Sequence, residues 1–325
     1  MPITRLFFRA AAAIGFAMMT VSSGMAAQSF PTRPLKVVVS YSPGGAADIL
    51  ARAVADRLGR RLEQSVIVEN MPGAGGAIAA RYVAKSAPDG YTMLLSGTTA
   101  LVLYPLLHGK PVYDAQNDFT GIGMVASSPL VLDVASNSNI HRVAEFVKAA
   151  RGSSMAYGSA GIGSALNIAG ELFKSVAGVD LLHVPYKGSA PALNALMAGE
   201  VNAVFDVVAS SEPLIESGRL RALAVLSKTR SKELPDVPTL REQGYKNFDF
   251  SVRYSLVVPK STPSSIVTQL NGALNAALLD PTLAQQLKTL ALDVTPSTPE
   301  AVMEFAKQGI TRLKPIIKAE GIKLD

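Results

Sequence analysis

The feature that most restricts how this chain can fold is an alternation repeated along nearly its whole length: a short β-rich run, a turn of Gly, Pro or Ser, then a helical period. Residues 35–41 (Leu-Lys-Val-Val-Val-Ser-Tyr) read as a buried strand that Ser42-Pro43-Gly44-Gly45 breaks. From Asp48 onward Leu50, Val54 and Leu58 recur at i, i+4 and i+8, the stripe that a helix buries. Residues 65–69 give a second strand and 71–76 a Gly-rich loop; a small-residue helix then leads to a third strand over 91–96. The rhythm resumes at Ser128-Pro129, with strands over 130–134 and 154–157 flanking a helix over 143–150. A glycine loop at 158–163 opens a helix that runs through Ala177, and runs at 181–184, 190–198, 201–205 and 219–226 continue the pattern. The polar stretch 232–244, with Pro235 and Pro238, reads as a connection; a strand over 253–258 and helices over 264–279, 281–290 and 299–320 follow. Such alternation predicts an α/β fold on mainly parallel sheets, and 325 residues suffice for one large or two medium domains with separate cores.

Composition removes most of the chemistry that such a fold can host. There is no Cys, which excludes a disulfide framework, thiolate metal sites, iron–sulfur ligation and a cysteine nucleophile. The three His residues (His108, His141 and His183) are too dispersed for an H-E-x-x-H zinc site, so no metal site is expected. At the N-terminus, Arg5 and Arg9 precede an apolar run from Ala10 to Val21, and Gly24 and Ala26 supply the small residues of a cleavage point. This is the pattern of a secretory signal, and its apolar run falls short of the ~20 residues of a membrane-spanning helix. Residues 1–26 are therefore expected to be cleaved near Ala26, leaving an exported protein. The formal charge then drops from +6 to +4, with no clustered basic run, so nucleic acid is not an expected partner.

Two loops stand out as a site: Ser42-Pro43-Gly44-Gly45 and residues 158–164 (Gly-Ser-Ala-Gly-Ile-Gly-Ser). Each follows a strand and opens a helix. Gly there lets backbone N–H groups approach a ligand closely, and a helix N-terminus carries unsatisfied donors and ~+0.5 charge. Ser42, Ser159 and Ser164 add hydroxyls, while no adjacent Lys supplies a counter-charge, so a small carboxylate suits the loops better than a triphosphate. Several hydrogen bonds to a charged group, each contributing ~1.5–3 kcal/mol, would support useful affinity. The bland alternative is a tight turn that needs Gly for geometry alone. Ile78 and Leu166 stand where a G-x-G-x-x-G motif needs its last Gly, so no nucleotide cofactor is expected.

The order of motifs resembles that of the substrate-binding proteins of tripartite tricarboxylate transporters, also called Bug receptors. The resemblance rests on Tyr-Ser-Pro-Gly-Gly-Ala-Ala-Asp (41–48), Val-Glu-Asn-Met-Pro-Gly-Ala-Gly-Gly (68–76), Ala-Pro-Asp-Gly-Tyr-Thr (87–92) and Tyr-Gly-Ser-Ala-Gly-Ile-Gly-Ser (157–164). It continues through His-Val-Pro-Tyr-Lys-Gly-Ser-Ala-Pro-Ala-Leu (183–193), Ala-Val-Phe-Asp (203–206), Gly-Arg-Leu-Arg-Ala-Leu-Ala-Val (218–225) and Leu-Pro-Asp-Val-Pro-Thr (234–239). It implies a type II periplasmic binding protein fold, in which two α/β lobes joined by hinge strands enclose a carboxylated ligand. Lobe 1 would comprise residues 27–127 and 252–325, and lobe 2 residues 128–251. One ligand carboxylate would be clamped by Ser42, Gly44 and Gly45 from one lobe and Ser159, Gly163 and Ser164 from the other, with bridging water. The implied partners are membrane permease subunits, and a monomer is expected. Ala47, Asn167, Arg253 and Ser255 depart from residues common in the family, so its usual ligand cannot simply be transferred.

Other side chains admit two readings each. Asp206, ending an apolar strand, is either a distal contact for an ammonium or hydroxyl, or a buried carboxylate capping the next turn. Arg253 is either a bidentate partner of a second ligand carboxylate or a solvated hinge arginine. Tyr41 either stacks on the ligand or belongs to the core; Ser96 and Thr98 either line the cleft or cap a loop. His183, beside an apolar strand, reads as structural. An enzyme is not expected: there is no G-x-S-x-G and no S-x-x-K. A ligand sensor presenting its closed form to a signalling partner would use the same binding physics as a transport receptor.

Overall fold

The structure is a computed structural model that describes residues 30–41, 43–44, 46–246, 248–319 and 322. The expected signal peptide, Ser42 and Gly45 lie outside the described residues. Residues 33–325 form one compact unit, and the architecture below is that unit's.

The opening βαβ rhythm becomes β1 (Leu35–Val39), α1 (Ala46–Leu62), β2 (Val66–Asn70), α2 (Ala77–Ala84) and β3 (Thr92–Gly97). Leu50, Val54 and Leu58 of α1 are all buried, as their spacing predicts. A π-helical turn, Thr99–Leu103, leads into the short α3 (Tyr104–Leu107). The chain then enters β4 (Phe119–Ala135), at 17 residues the longest of the strands. The second set is α4 (Val143–Gly152), β5 (Met155–Ser159), α5 (Ala165–Ala177), β6 (Leu181–Pro185), α6 (Ser189–Ala198), β7 (Ala203–Val207), α7 (Val208–Glu216) and β8 (Leu220–Val225). The chain returns through β9 (Ser251–Pro259) and closes with α8 (Ser264–Leu278), α9 (Pro281–Lys288), β10 (Asp293–Val294) and α10 (Pro299–Ala319).

β1 pairs in parallel with β2 and β3, and β3 and β4 each run antiparallel to β9. β5 pairs in parallel with β6 and β7. Both sets meet on β4: its residues 119–129 pair with β9, whereas 130–135 pair with β7 and β8 on its two edges. The continuous strand order is β2-β1-β3-β9-β4-β7-β5-β6. β4 thus begins at Phe119, not at Leu130 as the sequence pattern predicts. Gly121 and Gly123 within it serve close packing. A Cβ at Gly121 would lie 2.7 Å from the Val302 side chain of α10, and one at Gly123 would lie 3.0 Å from Leu274 of α8. Two helices press directly onto this strand, and only Gly leaves room for them.

Aromatic packing secures the ground beneath the second glycine loop. The Tyr157 ring meets Phe205 edge-on at 5.4 Å, and Phe173 packs 5.6 Å from Phe205. Gly170 on α5 admits the Tyr157 ring: a Cβ there would stand 2.6 Å from its Cζ.

Candidate ligand-binding site

The first loop links the end of β1 to α1. Gly44 adopts φ +83°, and its N–H donates to Asp48 Oδ2 at 2.9 Å. Asp48 lies in the first turn of α1, where a negative charge meets the helix N-terminus. Its carboxylate also accepts from Arg52 Nε at 3.1 Å and from Asn70 Nδ2 at 2.9 Å. Asn70 in turn donates to the Tyr41 carbonyl at 3.0 Å, tying β2 to the loop. Burial works to raise the Asp48 carboxyl, but Arg52, the Gly44 N–H and Asn70 outweigh it and hold it below the usual carboxylate range. The Gly44 amide expected to face a ligand is therefore engaged by an ionised side chain from the helix that follows it.

The second loop, from β5 to α5, is built on the same plan with neutral groups. Gly163 adopts φ +73°, and its N–H donates to Asn167 Oδ1 at 3.0 Å. Ser164 caps α5, its Oγ accepting from the Asn167 N–H at 3.1 Å and donating to the Gly161 carbonyl at 2.7 Å. The fully buried Ser159 has its Oγ 2.7 Å from His183 Nε2 and accepts from the Gly161 N–H at 3.2 Å. Asn167 Nδ2 reaches both the Tyr157 hydroxyl at 2.8 Å and His183 Nδ1 at 3.3 Å. Burial lowers the His183 imidazole below its ordinary value; Glu171 opposes that shift and Lys174 adds to it. The Tyr157 hydroxyl donates to Glu171 Oε1 at 2.6 Å, and burial raises it far above a normal phenol.

Beside the loops lies a third group. Tyr41 and Tyr254 meet edge-on with centroids 6.5 Å apart. Burial raises the Tyr254 hydroxyl, and Tyr41 and Asp206 both lie near enough to raise it further. This draws the end of β1, the returning strand β9 and the end of β7 to one place. Asp206 is fully buried; its Oδ1 accepts from Ser189 Oγ at 2.5 Å and from the Val207 N–H at 2.7 Å, while Oδ2 has no hydrogen-bond partner. Burial pushes its carboxyl up to about 7. Asp133, two residues along β4 from the Val131 that pairs with Asp206, is equally buried, and neither of its oxygens has a hydrogen-bond partner. Burial, with Asp206 nearby, pushes Asp133 up to about 8 despite the Ser211 hydroxyl.

Thr98 and Arg253 fall elsewhere. Thr98 Oγ1 accepts from the Arg253 N–H at 3.1 Å, while the Arg253 guanidinium lies 5.2 Å over the Phe305 ring of α10. Both residues line a cavity of about 220 Å³ against α10, with Gln308 and Arg312. The structure does not bring Arg253 to the Tyr41–Tyr254–Asp206 group. Ser96 is fully buried and its hydroxyl lacks a partner. A larger hollow, about 680 Å³, lies along α2 beside Ile78 and Tyr82, away from the second glycine loop. Among the described residues no cluster of His, Asp or Glu could hold a metal ion, and no helix is long and apolar enough to cross a membrane.

The profile of the tripartite tricarboxylate transporter family receptor matches residues 50–322. The chain belongs to this family. Among solved structures it is similar to periplasmic binding protein BugD, with a TM-score of 0.82 and 33% identity over 90% of this chain and 99% of that one. It is similar to R. palustris Rpa4515 with adipate (TM-score 0.84, 33% identity, 90% and 99% covered) and to MatC (Rpa3494) from Rhodopseudomonas palustris with bound malate (TM-score 0.81, 30% identity, 89% and 100% covered). The type II periplasmic binding fold predicted from the motifs is borne out, as is the expectation of a receptor in place of an enzyme.

Four residues of the site escape a reading of motifs. Asn167 and His183 act on the second loop through side-chain contacts that sequence spacing does not reveal. Tyr254 also escapes, although alternation carries a signal for it: on a strand it must face opposite to Arg253. Asp133 carries the clearest signal: a lone acid inside the apolar run Val131-Leu132-Asp133-Val134.

Proposed function

We propose that this receptor is a periplasmic solute-binding protein that captures a small dicarboxylate between two lobes and hands it to membrane permease subunits. Lobe 1 is read as residues 27–127 and 252–325 and lobe 2 as 128–251, with residues 1–26 removed on export. The observation that carries the reading is that β4 joins the two sets of strands beside the first loop: Pro129 pairs with Ser251 of β9 and Val131 with Asp206 of β7, while Tyr41, just past β1, meets Tyr254 of β9 edge-on at 6.5 Å. A ligand between the two loops would touch both halves, and contact with both is what favours closure. The solved relatives that hold adipate and malate support a carboxylated ligand.

In this reading one carboxylate lies against the loops of Ser42, Gly44 and Gly45 and of Ser159, Gly163 and Ser164, with Tyr41 and Ser96 lining the space. The far end meets Asp206. With its carboxyl pushed up to about 7, Asp206 is neutral in mildly acid solution and can donate a hydrogen bond to a second carboxylate. Arg253 is assigned to the cavity against α10 instead. The receptor acts as a monomer, since the site needs no second copy.

The test is thermal denaturation of the purified protein against a panel of dicarboxylates, amino acids and monocarboxylates. Dicarboxylates should raise the Tm by mass action. A panel with no shift at any pH from 5 to 8 would remove the carboxylate reading.

A further inference from the structure

The second glycine loop contains a closed chain of hydrogen bonds whose directions can be deduced. A backbone amide can only donate, so the Gly163 N–H fixes Asn167 with Oδ1 towards the loop. Asn167 Nδ2 therefore faces the Tyr157 hydroxyl and His183 Nδ1. That ring nitrogen must present its lone pair, which leaves the proton on Nε2, directed at Ser159 Oγ 2.7 Å away. Ser159 then directs its own proton to the Gly161 carbonyl at 3.3 Å and accepts from the Gly161 N–H. Each donor finds an acceptor only while His183 is neutral.

A proton added at Nδ1 breaks this order. Two donors, Nδ1–H and Nδ2–H, would face each other, and rotation of the Asn167 amide relieves the clash. Oδ1 then turns to the imidazolium, and the Gly163 N–H loses its acceptor. We propose that Asn167 and His183 form a proton-operated latch on the Gly163 amide: neutral His183 holds the amide inside the loop, and protonated His183 releases it to an anionic ligand. This rests on the carboxylate reading above. Around the imidazole, Tyr157 of β5 supplies a ring stacked at 4.9 Å and the hydroxyl shared with Asn167. Glu171 and Lys174 of α5 supply opposite charges, paired to each other at 2.9 Å, so their fields largely offset. On β6 itself no other ionisable side chain lies between Leu181 and Pro185. The lowered value of His183 places the switch below about pH 6.5. By linkage, bound anion must raise the His183 value in return.

The latch is tested without ligand by two-dimensional NMR of the purified protein from pH 7.5 to 5. The imidazole nitrogen shifts should report the Nε2–H form at high pH, and the Gly163 amide resonance should move with the His183 midpoint. In N167A that amide should no longer follow His183. A Gly163 resonance that ignores the His183 midpoint in the native protein, or an Nδ1–H form at high pH, overturns the latch. Calorimetry with adipate and malate then reads the consequence. Native protein should bind about tenfold tighter at pH 5.5 than at 7.5, the equivalent of one released hydrogen bond to a carboxylate, and H183Q should lose most of that gain. Tight binding with equal affinity at both pH values defeats the latch and the donor role of Asp206 alike, and leaves carboxylate capture itself intact; a pH gain that survives in H183Q belongs to Asp206 and defeats the latch. Absence of binding at every pH defeats the receptor reading, while the amide titration still decides the latch.

Discussion

The two glycine loops solve one geometric problem with opposite electrostatics. Both follow a parallel strand, both carry a Gly at positive φ, and both close that Gly N–H onto a side chain from the first turn of the following helix. In the first loop the acceptor is Asp48, a carboxylate held ionised by Arg52 and Asn70. In the second it is Asn167, a neutral amide in contact with a half-buried imidazole that burial also keeps neutral. Nearby, Asp206 and Asp133 are likewise held towards the uncharged form. One region is thus organised around a fixed charge and the other around groups that change charge near neutral pH. In the first loop Arg52 offsets the Asp48 charge, but the Gly44 amide stays engaged by that ionised acceptor at every pH above its folded value, whereas the acceptor of the Gly163 amide is neutral.

That asymmetry can be broken at several points. The largest effect should come from Gly163→Val. A β-branched residue at φ +73° is strained, and the amide that meets the ligand is displaced, so dicarboxylate affinity should fall about 100-fold in calorimetry. Next, Asp48→Ala removes a buried acceptor of four hydrogen bonds and ion pairs, and chemical denaturation should show a loss of about 2–3 kcal/mol. Because the folded Asp48 value is depressed, its contribution is present above about pH 4 and is lost as pH falls through the folded value.

The buried acids of the second region should respond the other way. A folded carboxyl raised from 3.8 to about 8 favours folding fully below about pH 4, and that contribution is lost as pH rises through 8. Asp133→Asn should therefore be more stable than the native protein at pH 8, by about 1–2 kcal/mol, with the difference shrinking steadily as pH falls and gone only near pH 4. A lower stability for Asp133→Asn at pH 8 would show that Asp133 is ionised and paired. Smallest is Ser164→Ala, which removes the N-cap of α5 and should cost about 1 kcal/mol in thermal unfolding.

Much of the frame was legible because it depends on local periodicity. The strands around Val37, Leu94 and Leu223 and the helices carrying Leu50 and Leu166 follow directly from apolar spacing, and the glycine loops from the breaks between them. What stayed hidden depends on distant neighbours. β4 starts only at Leu130 in the sequence pattern, because the role of Gly121 and Gly123 shows only with α8 and α10 packed against them. The helix Val208–Glu216 contains Pro213, which reads as a break. Thr98, at a strand end, and Arg253, on the returning strand, each admit a cleft and a non-ligand reading from sequence, and only the fold shows the guanidinium over Phe305 and the Thr98 hydroxyl on the Arg253 N–H. His183 read as structural because no spacing links it to Ser159, 24 positions away and 2.7 Å distant in the fold.

The central claim is that a dicarboxylate binds through the amides of the second loop, with Asp206 at its far end. Calorimetric titration of adipate and malate into native protein, Gly163→Val and Asp206→Ala at pH 6 tests it most directly. The account predicts saturable binding with one ligand per native chain, about 100-fold weaker binding for Gly163→Val, and weakened binding for Asp206→Ala. Undiminished affinity in the folded Gly163→Val protein would contradict it.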